Sequence, residues 1–311
     1  MRPHQSLYET TARLLPGLEK VYRKEEPDLV LVQGDTTTTF VGALAAYYAG
    51  AAVGHVEAGL RTRDKRNPFP EEINRRLTSV LTDLHFPPTD RARRALLEEG
   101  ATDGAIHVTG NTVIDALFWV LEHRGRDVPL PEGVDPSKRW IVVTSHRREN
   151  WGEPLRGICF ALRDLAERYP DTEIIYPVHP NPNVRSTTDE LLRGRERIHL
   201  LEPLDYVRFV KLMEASRLLI TDSGGVQEEA PSLGKPVLVI REKTERPEAV
   251  EAGTVRLVGT SRERIVEEAS RLLDSDEEYA AMSRRHNPYG DGKACGRIAD
   301  AIAAWWRDAR D

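Results

Sequence analysis

Short apolar runs alternate with helical patterns along the whole chain. One series comprises Asp28–Val32, Ala52–Val56, Leu84–Phe86 and Ile106–Thr109, and the stretches near 36–48, 71–82 and 90–99 between them read as helices. A second series comprises Trp140–Thr144, Glu173–Tyr176, Ile198–Leu200, Leu218–Ile220, Pro236–Ile240 and Val255–Val258. Strands this short, apolar on both faces and separated by helices, belong to parallel sheets covered on both sides. The pattern therefore predicts an α/β protein with two such sheets. Between the series, Arg124–Gly133 lacks periodicity and is rich in Pro and Gly, so it reads as the domain connection. This places an N-terminal domain at 1–120 and a second at 121–294, with a helix near 295–311 packing back on the first. The first series begins with a helix over 6–24, whereas a doubly wound sheet begins with a central strand whose following turn lies at the ligand crevice. A strand upstream is the expectation.

Composition narrows the class. At 311 residues and 40% hydrophobic content the chain can fill two cores. It has no apolar run near the roughly 20 residues that span a bilayer, and Met1–Ser6 opens no signal peptide, so a soluble cytoplasmic protein without a membrane partner is expected. Cys159 and Cys295 are too few and too far apart for a disulfide framework or a thiolate metal site. A net charge of −6 with the signs interspersed argues against nucleic acid as a partner.

The candidate chemistry centres on Thr221–Glu229, where a strand passes through Ser223-Gly224-Gly225 into a helix. Such a turn offers free backbone N–H groups and the positive end of the helix dipole, and its missing side chains admit a phosphate. A carboxylate at Glu228 or Glu229 is placed to accept from two ribose hydroxyls, which together suggests a nucleotide sugar. A tight strand-to-helix connection is the competing reading. Neither G-x-G-x-x-G nor a P-loop is present, so NAD and the usual ATP cradle are not indicated.

Further polar clusters follow other strands, where open α/β sheets bind ligands. In Gln33–Thr39, Asp35 is either a functional acid or the cap of the threonine-rich helix. In His55–Thr62, Glu57 is either functional or a salt-bridge partner of Arg61. In Asn67–Arg76, Glu71 and Glu72 open a helix, where acids are also ordinary dipole partners. In Thr144–Asn150, His146 stands beside Arg147 and Arg148, which suit an anion. Arg246 is a candidate for phosphate or ribose against a surface ion pair, and Phe209 for flanking a base against helix core. His179 stands alone in a proline-rich turn, without companions at metal-ligand spacing. Carboxylates on one domain and a His with a diphosphate turn on the other describe acid and base catalysis on a nucleotide sugar across a cleft.

Taken in order, Gln33–Thr39, Gly54–Thr62, Pro70–Arg75, Gly110–Ala116, His146–Glu149, Tyr176–Arg185, the Ser223 turn, Thr244–Glu248 and Asn287–Gly292 resemble the non-hydrolysing UDP-N-acetylglucosamine 2-epimerases. The resemblance covers nearly the whole chain. It implies two Rossmann-like domains of the glycosyltransferase-B type, a UDP-sugar in the cleft and a homodimer. It also implies that Asp35, Glu57, Glu71 and His146 are catalytic, that Ser223, Gly224, Gly225 and Glu229 hold diphosphate and ribose, and that Arg246 and Phe209 touch UDP. The implied reaction converts UDP-N-acetylglucosamine reversibly to UDP-N-acetylmannosamine for surface polysaccharide synthesis. Because no carbonyl acidifies the C2 proton, its removal is coupled to departure of UDP from C1. Elimination gives 2-acetamidoglucal, and UDP adds back while a proton reaches the opposite face of C2. No cofactor is implied. Some family members are activated by their own substrate at a second site, which makes Arg147, Arg148 and His179 regulatory candidates.

The chain departs from the family's pattern at its start. The family opens with a strand, a Gly-Thr-Arg-Pro-Glu turn and a second strand ending in Gln-His, on the order of sixty residues including the central strand of the first sheet. Without them the strands at Val30 and Val53 are expected to lack a neighbour, and the chain, as a fragment or from a misassigned start codon, to be unstable or poorly active. Two other classes stay open. A glycosyltransferase of the same architecture needs an acceptor surface and gives no reason for Asp35, Glu57 and Glu71 together; a non-catalytic UDP-sugar binder is distinguished by binding without turnover.

Overall fold

A computed structural model describes residues 6–124, 128–244, 246–284 and 286–308. The chain opens with α1 (Leu7–Glu25), β1 (Leu29–Gln33), α2 (Thr37–Tyr48), β2 (Ala52–Val56), α3 (Glu71–Leu81), β3 (Leu84–Phe86) and α4 (Asp90–Glu98). Next come α5 (Thr112–His123), β4 (Arg139–Thr144), α6 (Glu153–Arg168), β5 (Thr172–Pro177), α7 (Pro182–Leu192), β6 (Ile198–Leu201) and α8 (Tyr206–Ala215). It closes with β7 (Leu218–Thr221), α9 (Gly224–Ser232), β8 (Val237–Val239), α10 (Pro247–Ala252), β9 (Val255–Leu257), α11 (Arg262–Asp274), α12 (Asp276–Ser283) and α13 (Ala294–Asp308). Two compact units result, Met1–Thr112 with Tyr289–Asp311, and Val113–Pro288. All of α5 but its first residue thus falls in the second unit. Of the expected connection at Arg124–Gly133, residues 125–127 lie outside the described residues.

In the first unit β1, β2 and β3 form a parallel sheet in that order, with Leu29 opposite Ala52 and Gly54 opposite Leu84. Local signals set the helices: Ser6 and Glu9 close a capping box on α1, and the Thr36 hydroxyl accepts from Thr39 N–H at the start of α2. One face of the sheet is covered by α13, whose Ile298, Ile302 and Trp305 pack with Val56, Leu84 and Phe86. The returning segment is fastened where Asn111 N–H donates to Tyr289 O at 2.7 Å and Arg297 donates to Thr109 O at 2.9 Å. Among the described residues β1 has a single strand neighbour, and Leu31 on it is 50% exposed, whereas the strand at Val53, also expected to lack a neighbour, is β2 and lies between β1 and β3.

The expected strand at Ile106–Thr109 is instead an isolated bridge between His85 and Ile106. His107 and Thr109 donate to His85 O and Pro87 O, but Pro87 and Pro88 end β3 and have no N–H to return, so no ladder grows.

In the second unit six strands form one parallel sheet ordered β6-β5-β4-β7-β8-β9, the full set read from the apolar runs. Its core joins Ile141, Val143, Ile174 and Ile220 of the strands to Ile158, Leu162 and Leu165 of α6, Val184 of α7 and Ile265 of α11.

Candidate functional site

The strand order of the second unit reverses between β4 and β7, and such a switch point opens a crevice at the carboxyl ends of the two strands. The ends are joined side by side, with the Thr144 and Thr221 hydroxyls 2.6 Å apart. The segments that follow them are Ser145–Asn150 and Asp222–Gly225.

Asp222 organises the first of these segments. Fully buried, its carboxylate accepts from the backbone N–H of His146 at 2.9 and 3.1 Å, the N–H of Arg147 at 3.0 Å, the Ser145 hydroxyl at 3.0 Å and Asn150 Nδ2 at 2.9 Å. Nδ1 of His146 lies 3.0 Å from Asp222 Oδ1. Burial opposes ionisation of Asp222, but the hydrogen bonds from His146 and Arg147 outweigh it and hold its carboxyl below the usual range. The His146 side chain is 41% exposed, and the His179 ring stacks on it with centroids 5.9 Å apart. Arg147 donates through Nε to Asp222 O at 3.0 Å, while the Arg148 guanidinium lies 6.0 Å over the Trp151 ring.

The second segment leads into α9. Ser223 is its N-cap residue but makes no capping bond with its side chain, so Ser223 satisfies no first-turn N–H by that route. The space left by the missing side chain of Gly224 is taken by protein: a Cβ there would lie 2.4 Å from Arg246 Nη1. The missing side chain, expected to admit a phosphate, thus also admits the Arg246 guanidinium. Arg246 also donates through Nε to the buried Glu228, which therefore serves as its anchor. Thr244 holds the approach, donating to Gln227 Oε1 at 2.7 Å and accepting from Arg246 N–H at 3.1 Å. Glu245, within the same string, lies outside the described residues.

Glu229 accepts a hydrogen bond from the Tyr206 hydroxyl. Burial pushes its carboxyl up to about 7, against the pull of Tyr206 and with help from Glu228. Burial, and then Glu229 itself, raise the Tyr206 phenol above its ordinary value. Phe209 sits one turn further along α8, half-buried. Tyr206 had no signal in the sequence, being an ordinary aromatic at a helix start 23 positions from Glu229.

The first unit gathers its own acidic cluster. Asp35 does not cap α2; Thr36 does, and the Asp35 carboxylate is instead held by Arg75 through Nη2 at 2.8 Å and Nε at 3.1 Å. Asn74 Nδ2 donates to Asp35 O at 2.9 Å. Arg75 also donates to Glu72 at 2.9 Å, and Glu72 accepts from the N–H groups of Thr62 and Arg63 at 2.9 and 3.0 Å. Arg61 does not turn to Glu57: its guanidinium is engaged by Glu99 at 2.8 to 3.1 Å and by Ser79. The reason is geometric, since α4 ends beside the Arg61 loop and brings Glu99 to it from 38 residues away.

Glu57 follows β2 with φ of 65°, in the left-handed region that non-glycine residues rarely adopt. Its carboxylate lies beside Gly34, 3.7 Å from where a Cβ on that glycine would be, and so next to Asp35 in the chain. His55 is fully buried and burial lowers it to about 4, so the ring is neutral and its Nε2–H donates to Gly34 O at 2.8 Å. Glu71, in the first turn of α3, keeps Oε2 buried without a hydrogen-bond partner among the described residues. Each unit thus assembles its own candidates, Asp35, Glu57 and Glu71 in the first and His146, Ser223, Gly224, Gly225, Glu229 and Arg246 in the second. Among the described residues no group of His, Cys, Asp and Glu is placed to hold a metal ion, and no helix is long and apolar enough to cross a membrane.

A family model described as UDP-N-acetylglucosamine 2-epimerase matches residues 1–303. A probable UDP-N-acetylglucosamine 2-epimerase of Ralstonia solanacearum is 54% identical over 98% of this chain and 84% of its own length. The UDP-N-acetylglucosamine 2-epimerase of Escherichia coli K12 is 53% identical over 97% of this chain and 82% of its own. The crystal structure of the Neisseria meningitidis UDP-GlcNAc 2-epimerase bound to UDP-GlcNAc superposes with a TM-score of 0.90 at 46% identity, covering 98% of this chain and 84% of that one.

Proposed function

We propose that this chain, which belongs to the UDP-N-acetylglucosamine 2-epimerase family, binds UDP-N-acetylglucosamine and inverts its C2 by elimination and re-addition of UDP. The family is one of isomerases. The observation that carries the reading is in the second unit: a Ser-Gly-Gly turn opens α9 at the switch point, with His146 tied to the residue before it and Arg246 over its first glycine. That arrangement suits a nucleoside diphosphate, since backbone N–H groups, the helix dipole and a guanidinium all favour phosphate oxygens. Glu229 takes the ribose and Phe209 the base.

In the first unit Asp35, Glu57 and Glu71 supply the carboxylates that remove the C2 proton and return one to the opposite face. As C1–O breaks, the electron pair of the C2–H bond forms the C1–C2 double bond and UDP leaves with the C1–O pair. UDP then returns to C1 on the face it left while a proton reaches the opposite face of C2, which gives the manno epimer. His146 serves at the leaving diphosphate. For its setting we place the enzyme in the cytoplasm as a homodimer, supplying surface polysaccharide synthesis.

The test is NMR of the purified chain with UDP-N-acetylglucosamine in D2O. Deuterium at C2 together with the manno epimer is expected. A sugar that stays intact with C2 protonated, under conditions where UDP binds, would leave a UDP-sugar binder and remove the catalytic assignment.

A further inference from the structure

The role given to His146 leaves its buried neighbour unexplained. Asp222 ends the run from β7 into the diphosphate turn, is fully buried, and spends its carboxylate on Ser145, His146, Arg147 and Asn150. We propose that Asp222 is the positioning residue for His146, fixing its ring with the proton on Nδ1 so that Nε2 is the nitrogen presented to substrate. The inference rests on the reading of His146 as a catalytic group.

The hydrogen-bond inventory decides the tautomer. The backbone N–H groups of His146 and Arg147 and the Asn150 amide can only donate to the carboxylate. Ser145, Arg147 and Asn150 donate to Oδ2, and the His146 N–H reaches both oxygens; a carboxylate so supplied stays ionised and only accepts, so the 3.0 Å contact between Oδ1 and the ring requires a hydrogen on Nδ1. This holds for the neutral ring and for the imidazolium alike. In the neutral ring Nε2 then accepts, and in the imidazolium it donates, so either way one known atom faces a ligand. The orientation is fixed from the other side as well, by the His179 ring stacked at 5.9 Å.

Chain connectivity adds a second reason. The main chain of Asp222 runs directly into Ser223, and its carbonyl accepts from Arg147 Nε at 3.0 Å. The side chain of one residue therefore holds the His146 ring while its backbone sets the start of the diphosphate turn. A buried carboxylate that merely stabilised the loop would need the backbone donors alone. Here Oδ1, which shares the His146 N–H with Oδ2, also meets the ring.

The experiment compares Asp222→Asn, His146→Gln and the double variant for kcat, KM and UDP affinity, and reads the 15N shifts of the His146 ring in the unsubstituted chain. Asp222→Asn can turn its amide N–H2 to Nδ1, which reverses the ring's donor and acceptor, and a fall in kcat of roughly a hundredfold or more is expected with UDP affinity little changed. In the His146→Gln background the same change should cost less than about threefold more, because residues that act as a unit are not additive. Full multiplication of the two losses, or UDP binding lost in step with kcat, would assign Asp222 to the loop's structure and overturn the proposal. The NMR measurement needs no variant that might fail to fold, the His146 signals being those missing from His146→Gln. A neutral ring with its proton on Nε2 would also overturn the inference. If His146→Gln keeps full activity, the catalytic reading of His146 falls, and the ring's protonation still decides whether Asp222 orients it.

Discussion

Arg75→Met should destabilise the first unit far more than an ordinary charge removal. The Arg75 side chain is 6% exposed and joins Glu72, at 1%, to Asp35, at 32%. Methionine keeps most of the apolar stem, so the loss is chiefly electrostatic. Glu72 is left as a buried carboxylate with two backbone N–H donors, from Thr62 and Arg63, and without the cation at 2.9 Å. Stripping one partner from a buried pair costs about 3–5 kcal/mol, and the two remaining donors argue for the lower end. Asp35 can be rehydrated through its exposed third and adds little. A total near 3 kcal/mol corresponds to roughly a hundredfold in an opening equilibrium.

Because the two units need not unfold together, hydrogen exchange on β2, which lies between β1 and β3, is the suitable assay, and the amides of Gly54 to Val56 should lose about two powers of ten in protection. The pair Glu72→Gln with Arg75→Met should recover much of it, since no buried charge then remains. Arg23→Met, at a pair exposed on both sides, should leave the same amides unchanged. A loss in Arg75→Met below about 1 kcal/mol, or no recovery in the double variant, would refute the electrostatic reasoning.

Four other outcomes are expected. The folded chain holds the Glu229 proton up to about 7 whereas the unfolded chain releases it near its ordinary 4.5, so stability should fall as pH rises between those values and Glu229→Gln should flatten that slope in urea titrations. The same ionisation supplies the ribose acceptor, so UDP affinity should climb through pH 7 in calorimetry; a flat profile would take Glu229 off the ribose. Gly224→Ala would put a Cβ 2.4 Å from where Arg246 Nη1 now lies, so it should displace that guanidinium and weaken UDP binding by about tenfold, the scale of one charge-assisted bond, while the helix itself tolerates alanine; unchanged affinity would show that Arg246 is not a UDP contact. Gly59→Ala should lower the melting temperature by several degrees, because φ is 84° and its Cβ would meet Ala92 O at 2.3 Å; an unshifted melting curve would contradict that geometry.

The contrast between elements and partners follows from range. Helix and strand identity were legible because their signals are periodic and local, as in the six apolar runs of the second sheet. Where a neighbour's chemistry intervened the pattern misled: Ile106–Thr109 has a strand's composition, but Pro87 and Pro88 deny it a ladder. The candidate residues were also legible, because polar side chains at strand ends stand out against apolar runs.

What each candidate does with its side chain was not. Asp35 reads locally as a cap, and only the packing of α3 brings Arg75 to it from 40 positions away. Arg61 reads as a partner for Glu57, yet α4 delivers Glu99. Gly224 reads as room for a phosphate, and the loop before α10 fills part of that room with Arg246. The sequence by itself thus determined most of the elements, the family and the strand ends where polar side chains gather, since these depend on periodicity and on strings of adjacent residues. Tertiary structure alone decided which charge meets which, because strand order sets Asp222 of β7's end beside His146 of β4's end across 76 positions, and nothing local to either segment encodes that neighbour.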